Sequence, residues 1–251
     1  MVEVLTLKNA TYQAGTPRAL VLCGDGINCE RETVAAFAAA GFAASACHLN
    51  RLAAEPAALG EFQALALPGG FSFGDELGSG QILATKLSVL LGEQIRQFVA
   101  DGKPVIGICN GFQTLAKMGL FNDPASGRRV ALAHNSQGVF VDRWVAVEFP
   151  ESDCIWTRGL EGCDFPVRHG EGRVMIEGEI PPGCVALRYS EDINGSSGRI
   201  AGLCDPTGLV FGLMPHPEAA LHDVLHPQKR IGGARGLRVF ENAYKYVKET
   251  H

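Results

Sequence analysis

Short apolar runs alternate with helix-forming segments along the first half of the chain. The apolar runs lie at 18–23, 42–48, 62–67 and 104–108. Consecutive apolar positions over this length are typical of strands buried in a parallel sheet. Between them we expect helices from about Asn28 to Ala40 and from about Gln81 to Ala100. The alternation predicts an α/β fold with a doubly wound, mostly parallel central sheet flanked by helices.

The pattern changes after about residue 129, where short runs are separated by turn signals. These runs lie at 130–134, 139–149, 173–176, 185–189, 200–204 and 209–213. They predict an antiparallel extension of the sheet, with a hairpin turn at 205–208, and an amphipathic helix that closes the chain. Because no repeat or low-complexity linker interrupts the pattern, we expect residues 1–251 to form a single domain, with 1–16 as a surface extension.

Composition and charge narrow the classes of function. With 46% hydrophobic and 20% charged residues, the 251-residue chain has the composition of an ordinary globular protein. Its net charge of −5 and the lack of a basic stripe argue against binding nucleic acid. It has no apolar run of about 20 residues and no secretory signal pattern, so we expect no membrane association. Its eight cysteines include no C-x-x-C pair, so we expect reduced thiols in the cytoplasm and no metal site.

The stretch 104–111 contains the first candidate for chemistry. Its apolar strand runs into Cys109, and the residues that follow have helical spacing. Cys109 is therefore predicted at a strand-to-helix turn, where Gly107 and Gly111 let the two arms pass closely. The dipole at a helix N-terminus favours an anion, which suits a thiolate nucleophile. The alternative is a small buried cysteine that only fills the core.

A histidine that could activate this thiol follows the run at 209–213, in the sequence Met-Pro-His-Pro-Glu. Residues two apart in an extended segment point the same way, so His216 and Glu218 are expected to project together. The glutamate could accept a hydrogen bond from one ring nitrogen and leave the other facing the thiol. The flanking prolines favour the extended geometry. The alternative is a surface loop without a catalytic role.

Together, the cysteine turn, the Pro-Gly-Gly sequence at 68–70 and the late His-x-Glu resemble the class I (triad) glutamine amidotransferases. The resemblance is closest to one family of that class, the glutaminase subunits of phosphoribosylformylglycinamidine synthase. The matching stretches run in order along nearly the whole chain, at 24–33, 67–77, 107–119, 135–140, 168–173, 194–205 and 214–218.

The resemblance implies a reaction and a set of site residues. Cys109 would attack the side-chain amide carbon of glutamine, His216 would be the base, and Glu218 would orient the histidine. The oxyanion hole would use the backbone N–H groups of Asn110 and of either Gly70 or Phe71. The positions that match the family's glutamine pocket are Gln113, Asn135, Ser136 and Phe140.

The resemblance also implies partners. Ammonia would pass to the large synthetase subunit of phosphoribosylformylglycinamidine synthase, in a complex that includes a small third subunit. ATP and Mg²⁺ are expected on the synthetase subunit, because this chain lacks a G-x-x-x-x-G-K-[ST] phosphate loop, and no cofactor is expected here. The docking surface is expected at the glycine-rich loop 71–80 and the segment 168–173, with His169 and Glu171 as contacts. We also expect low glutaminase activity from the chain alone.

Two alternatives to this function stay open at the level of sequence. A class I glutamine amidotransferase that serves another acceptor pathway would have the same fold and the same three catalytic residues. A non-catalytic regulatory subunit would keep the fold and bind a partner, although the intact Cys109, His216 and Glu218 argue against it.

Overall fold

The structure, a computed structural model, describes residues 5–6, 13–123, 125, 127, 129–228 and 235–250. The strands, numbered in chain order, are β1 Leu5–Thr6, β2 Arg18–Cys23, β3 Ala43–His48, β4 Ala64–Leu67, β5 Val105–Ile108, β6 Arg129–His134, β7 Val141–Glu148, β8 Cys163–His169, β9 Glu171–Glu177, β10 Val185–Tyr189, β11 Ile200–Cys204 and β12 Val210–Leu213. The helices are α1 Glu30–Ala39, α2 Leu49–Ala54, α3 Gln81–Leu90, α4 Gly92–Ala100, α5 Asn110–Lys117 and α6 Gly236–Thr250.

One ten-stranded sheet runs through the molecule in the order β1-β3-β2-β4-β5-β12-β11-β10-β7-β8. The strands from β3 to β12 in this order are parallel, and those from β12 to β8 are antiparallel. The prediction of a parallel centre with an antiparallel extension is therefore confirmed. Strands β6 and β9 pair with each other in a separate two-stranded sheet.

The sheet places the carboxyl ends of β4, β5 and β12 side by side. Strands β4 and β5 pair in register at Leu67 and Gly107, and β5 pairs with β12 at Ile108 and Leu213. All residues of these three strands are buried, as their apolar sequences predict. Because ligands of open α/β sheets bind beyond the carboxyl ends of the strands, this edge is where a site is expected.

Three sequence-based predictions of local structure need correction. The helix expected over 81–100 is two helices, because regular geometry is interrupted at Leu91, between α3 and α4. Strand β8 was missed, since Pro166 lies in it; proline cannot donate to a ladder, but β8 is the last strand of the sheet and tolerates it. Helix α1, expected from about Asn28, begins at Glu30 with Cys29 in the cap position.

The core lies on both faces of the sheet. On one face, Phe37 of α1 packs edge to face against Phe42, Trp156 and Phe240. Of the expected surface extension at 1–16, β1 pairs antiparallel with β3, whereas residues 1–4 and 7–12 lie outside the described residues. No helix in the described part of the chain is both long and apolar enough to span a bilayer.

Candidate active site

Cys109 occupies the turn between β5 and α5, as the sequence predicts. Its backbone has φ 51° and ψ −104°, a left-handed conformation that a non-glycine residue rarely adopts. Its N–H donates to Leu213 O at 2.7 Å, which ties the turn to the end of β12. A Cβ atom on Gly111 would lie 1.9 Å from Leu67 O, so only glycine lets the helix approach β4 this closely. This strained turn presents the thiol at the edge where the strands end.

His216 and Glu218 lie together in the turn that follows β12. His216 Nδ1 and Glu218 Oε1 are 2.7 Å apart, and each residue is 2% exposed. The prediction that the two side chains project together is confirmed, but the extended backbone was wrong. Pro217–Ala219 form a 3₁₀ turn, which proline permits at its first position because no N–H is needed there.

The environment of His216 favours its protonated form. Burial alone lowers the pKa of the imidazole, but the Glu218 carboxylate, which accepts a hydrogen bond from Nδ1, and the neighbouring thiols of Cys109 and Cys29 outweigh it. The pKa of His216 therefore stands well above its ordinary value of 6.5. An imidazolium beside Cys109 stabilises a thiolate, which is the nucleophilic form of cysteine.

A cavity of about 260 Å³ opens at the edge where Cys109 and His216 meet. Gly70, Phe71 and Phe140 are among its lining residues, together with Cys29 and Arg168. The Cys109 thiol points toward the Arg168 carbonyl oxygen, 3.6 Å away, so the antiparallel extension supplies part of the wall. The cavity thus brings the candidate nucleophile and base to a space that a small substrate could enter.

The candidate donors of the oxyanion hole differ in whether their backbone N–H groups already have a hydrogen-bond acceptor. The N–H of Phe71 donates to Gly26 O at 2.8 Å, so the expectation that Phe71 could supply a donor is wrong in this conformation. The N–H groups of Gly70 and Asn110 have no acceptor among the described residues. Gly70 has φ +150°, and a Cβ atom there would lie 2.7 Å from Gly26 O, so glycine is required where the two loops meet.

The predicted glutamine contacts divide into two groups. Phe140 lines the cavity and is 52% exposed, and Ser136 is exposed outside it. Gln113 is buried; it donates to Glu171 O and accepts from Asn110 Nδ2 at 3.1 Å. Asn135 is buried, and its amide bonds to the carbonyl oxygens of Val139 and His169. The structure thus places Gln113 and Asn135 in the supporting wall of the site, and Phe140 at the cavity itself.

His169 was expected at the docking surface, but it is 2% exposed, so that expectation is wrong. Its Nδ1 lies 3.0 Å from Asn135 Oδ1, and its Nε2 lies 3.4 Å from the hydroxyl of Tyr189. Since the Asn135 amide nitrogen already donates twice, its oxygen accepts from Nδ1–H, and Nε2 accepts from Tyr189. Burial, followed by the positive charge of His216, lowers the pKa of His169 to about 4.

Glu171 also faces inward. Its carboxylate accepts from Ser79 N at 3.2 Å and lies 3.8 Å from Lys117 Nζ. The glycine-rich loop is further held by Asp75, which accepts from Ser79 Oγ at 2.9 Å and from Asn110 Nδ2 at 3.1 Å. The loop is therefore bonded both to the helix of the nucleophile and to the 168–173 segment.

Sequence reasoning did not assign four residues of the cavity wall to the active site: Asn28, Cys29, Asp142 and Arg168. Cys29 lies in a stretch that matches the family, but no spacing rule connects it with Cys109 or His216. Arg168 and Asp142 face each other across β7 and β8, and the omission of β8 hid this pairing.

The comparisons with known proteins agree with this geometry. A family model of the CobB/CobQ-like glutamine amidotransferase domain matches residues 16–247. The phosphoribosylformylglycinamidine synthase subunit PurQ of Dehalococcoides mccartyi is 37% identical, covering 93% of this chain and 98% of its own. The PurQ subunit of Thermotoga maritima is also 37% identical, covering 92% of this chain and 99% of its own.

Solved structures agree as well. The PurLQS structure from Thermotoga maritima contains a chain with 36% identity and a TM-score of 0.78, covering 92% of this chain and 99% of that one. A glutamine amidotransferase from the same organism, with 16% identity and a TM-score of 0.51, covers 93% of this chain and 96% of that one, and shares the fold.

The fold and the cysteine, histidine and glutamate of the site define a class, the glutamine amidotransferases, whose CobB/CobQ-like domain model spans nearly all of this chain. Within that class, the chain belongs to the PurQ family of phosphoribosylformylglycinamidine synthase subunits. The resemblance inferred from the sequence is thus confirmed, as is the expectation of an enzyme of the glutamine amidotransferase type.

Proposed function

We propose that this chain is the glutaminase component of a phosphoribosylformylglycinamidine synthase, and that Cys109, His216 and Glu218 are its catalytic residues. The observation that carries the assignment of residues is the buried His216–Glu218 pair, 2.7 Å between Nδ1 and Oε1, beside the thiol at the strained Cys109 turn. A nucleophile, a base and a group that orients the base are the parts that covalent amide hydrolysis requires.

In the first half of the reaction, the Cys109 thiolate attacks the side-chain amide carbon of glutamine. The tetrahedral intermediate carries an oxyanion, for which the N–H groups of Gly70 and Asn110 are the available donors. One such donor contributes about 3–4 kcal/mol to the barrier reduction. Protonated His216 gives its proton to the leaving nitrogen, so ammonia departs and a glutamyl thioester remains.

In the second half, His216 takes a proton from water, and the resulting hydroxide attacks the thioester carbon. A second oxyanion forms and collapses, which releases glutamate and restores the thiolate–imidazolium pair. Glu218 holds the imidazole in one orientation throughout and stabilises its positive charge.

The ammonia has a defined recipient in this proposal. It passes to an ATP-dependent synthetase subunit, in a complex that includes a small third subunit. The similar chain from Thermotoga maritima was solved in a PurLQS structure, which supports an assembly of this kind. Exposed apolar residues support a docking surface here: Phe71 and Phe140 line the cavity, and Leu77 and Val139 are exposed in the same two chain segments. We place the reaction in the cytoplasm, because all eight cysteines are free thiols, as is usual in a reducing compartment.

The test is release of glutamate from glutamine by the purified chain, with and without the synthetase subunits and their nucleotide. We expect low activity alone, higher activity in the complex, and a loss of at least about 10⁴-fold in Cys109→Ala, because the nucleophile is removed. The matched control is Cys47→Ala, which removes a half-buried thiol outside the cavity and should leave activity unchanged.

Two results would contradict the proposal in different ways. If the wild-type complex released no glutamate, the chain would be a binding subunit. If Cys109→Ala remained active, another residue would be the nucleophile. High activity of the isolated chain would leave the catalytic residues in place and contradict only the expectation that the partner activates them.

A further inference from the structure

A second thiol lies beside the catalytic histidine, and the proposed mechanism does not use it. Cys29 precedes α1, whereas His216 and Glu218 follow β12, so these residues come from opposite ends of the sequence. One potential ligand atom from each of the three side chains lies within 4.8 Å of the other two. Their exposures are 6%, 2% and 2%, so water has little access to the cluster.

Two atoms of this cluster lack hydrogen-bond partners. Within the described residues, His216 Nε2 and Glu218 Oε2 are buried and make no hydrogen bond. A buried polar atom without a partner is destabilising, so a cation that binds the Glu218 carboxylate gains from the burial of Oε2. The His216 side chain adjoins the Cys29 thiol, and the Glu218 carboxylate acts on that thiol electrostatically.

The chemistry of the three side chains selects the kind of ligand. A thiolate, an imidazole and a carboxylate are the three groups that bind Zn²⁺ in proteins, whereas Mg²⁺ prefers oxygen ligands alone. Ligand atoms around a tetrahedral zinc lie roughly 3.3–3.6 Å apart, given bond lengths of about 2.0–2.3 Å. His216 Nδ1 and Glu218 Oε1, which are 2.7 Å apart, would therefore move slightly apart, and separations of up to 4.8 Å within the cluster would contract by about 1 Å.

We propose that Cys29, His216 and Glu218 form an inhibitory site for a thiophilic divalent cation of the Zn²⁺ type. The cation binds the Cys29 sulfur, His216 Nδ1 and a Glu218 oxygen; the thiol proton and the proton between Nδ1 and Glu218 leave to solvent, and Nε2 keeps its proton. Two of these ligands, Cys29 and His216, line the same cavity as Cys109. This regulation rests on the proposed function, because an imidazole bound to the cation can no longer exchange a proton with Cys109 or water.

Binding can be measured without reference to glutaminase activity. The chelator-treated chain is titrated with Co²⁺, a zinc substitute whose thiolate complexes absorb in the near ultraviolet, and bound Co²⁺ is then displaced with Zn²⁺. We expect the thiolate-to-cobalt band in the wild type and in Cys109→Ala. Cys29→Ser should lose the band and at least about tenfold in affinity, and Cys47→Ser, the matched control, should bind as the wild type does.

Two results would overturn the site. One is binding by Cys29→Ser that equals that of the wild type. The other is a band that persists in Cys29→Ser and disappears in Cys109→Ala, which would mean that Cys109 and His216 hold the cation without Cys29.

An activity measurement separates this proposal from the proposed function. In the complex, buffered free Zn²⁺ should inhibit wild-type glutamate release at a concentration at least about tenfold lower than in Cys29→Ser, and Mg²⁺ should not inhibit. If Co²⁺ bound through Cys29 but the complex released no glutamate, the site would stand and the proposed function would fail. If the complex released glutamate but the chain bound no Co²⁺, the proposed function would stand and the cation site would fail.

Discussion

Two buried histidines lie near the same cavity, and their surroundings drive their pKa values in opposite directions. His216 and His169 are each 2% exposed. The pKa of His216 is well above 6.5, whereas that of His169 is lowered to about 4. Burial penalises the charged form of both, so the difference comes from their partners: a carboxylate and two thiols for His216, an amide and a hydroxyl for His169.

The comparison shows how the site confines its positive charge to one of the two histidines, His216. Neutral His169 is a hydrogen-bonded part of the wall, and the charge of His216 itself helps to keep it neutral. His216 is the histidine with a carboxylate partner, and therefore the one suited to exchange protons with Cys109.

Among changes to the surroundings of the two histidines, removal of the Glu218 charge should have the largest effect. It leaves His216 without a carboxylate partner, as His169 already is. In Glu218→Gln, we expect kcat/KM for glutamine to fall about 10²–10⁴-fold. The active pair needs protonated His216, and without the carboxylate the imidazole loses its proton at lower pH. The alkaline limb of the pH profile should therefore move to lower pH.

The measurement is kcat/KM of the complex across the neutral and alkaline range. The matched control is Glu241→Gln on α6, which removes a half-exposed carboxylate that pairs with Arg238 and should change neither the rate nor the profile. A slower Glu218→Gln with an unshifted alkaline limb would show that Glu218 acts only on orientation.

His169 should affect stability at acidic pH. In the unfolded chain, the imidazole of residue 169 takes up a proton near pH 6.5. In the folded chain, His169 stays neutral down to about pH 4. Stability from this group is therefore present above pH 6.5 and lost as the pH falls through that window, by roughly 3 kcal/mol in total. His169→Asn removes this titration but can still donate to Asn135, so its free energy of unfolding should fall less on acidification.

Urea denaturation at about pH 7 and about pH 4.5 measures this difference in slope. His134→Asn, at an exposed position of β6, is the matched control and should retain the wild-type slope. The same acid sensitivity in His169→Asn and wild type would mean that His169 does not titrate in this way.

Tyr189 should give the smallest effect. Tyr189→Phe removes the hydroxyl that donates to His169 Nε2 at 3.4 Å, so we expect a loss of about 1 kcal/mol in the free energy of unfolding near neutral pH. Urea denaturation measures it, with Tyr246→Phe on α6 as the control. An unchanged free energy in Tyr189→Phe would mean that this long hydrogen bond contributes nothing to stability.

The sequence could predict the features that depend on residues close together in the chain, but not those that depend on contacts between distant segments. The turn at Cys109 and the proximity of His216 to Glu218 depend on a few neighbouring residues, so local patterns predict both. The proximity of Cys29 to His216 depends on how β2, β4 and β12 are ordered in the sheet, and no local pattern carries that order. A pattern also cannot indicate that Phe71 N–H is already bonded to Gly26, because two separate loops must meet first.

The same limit applies to the walls of the site. Gln113 and Asn135 match family positions, but their hydrogen-bond partners, Glu171 and His169, lie in the segment 168–173, which the sequence predicts as a docking surface. Strand β8 was missed because Pro166 breaks the usual strand pattern, although an edge position removes the penalty. Both errors concern contacts between distant parts of the chain.

The pairing of β5 with β12 has a consequence for how the chain folds. Val105 pairs with Val210, so the strand that leads to the nucleophile lies beside the strand that leads to the base, although many residues separate them in the chain. Closing so long a loop is slow, and contacts of this kind lower folding rates. In a refolding experiment, helix content should therefore recover before glutaminase activity does, and the return of activity would report that the whole sheet has assembled.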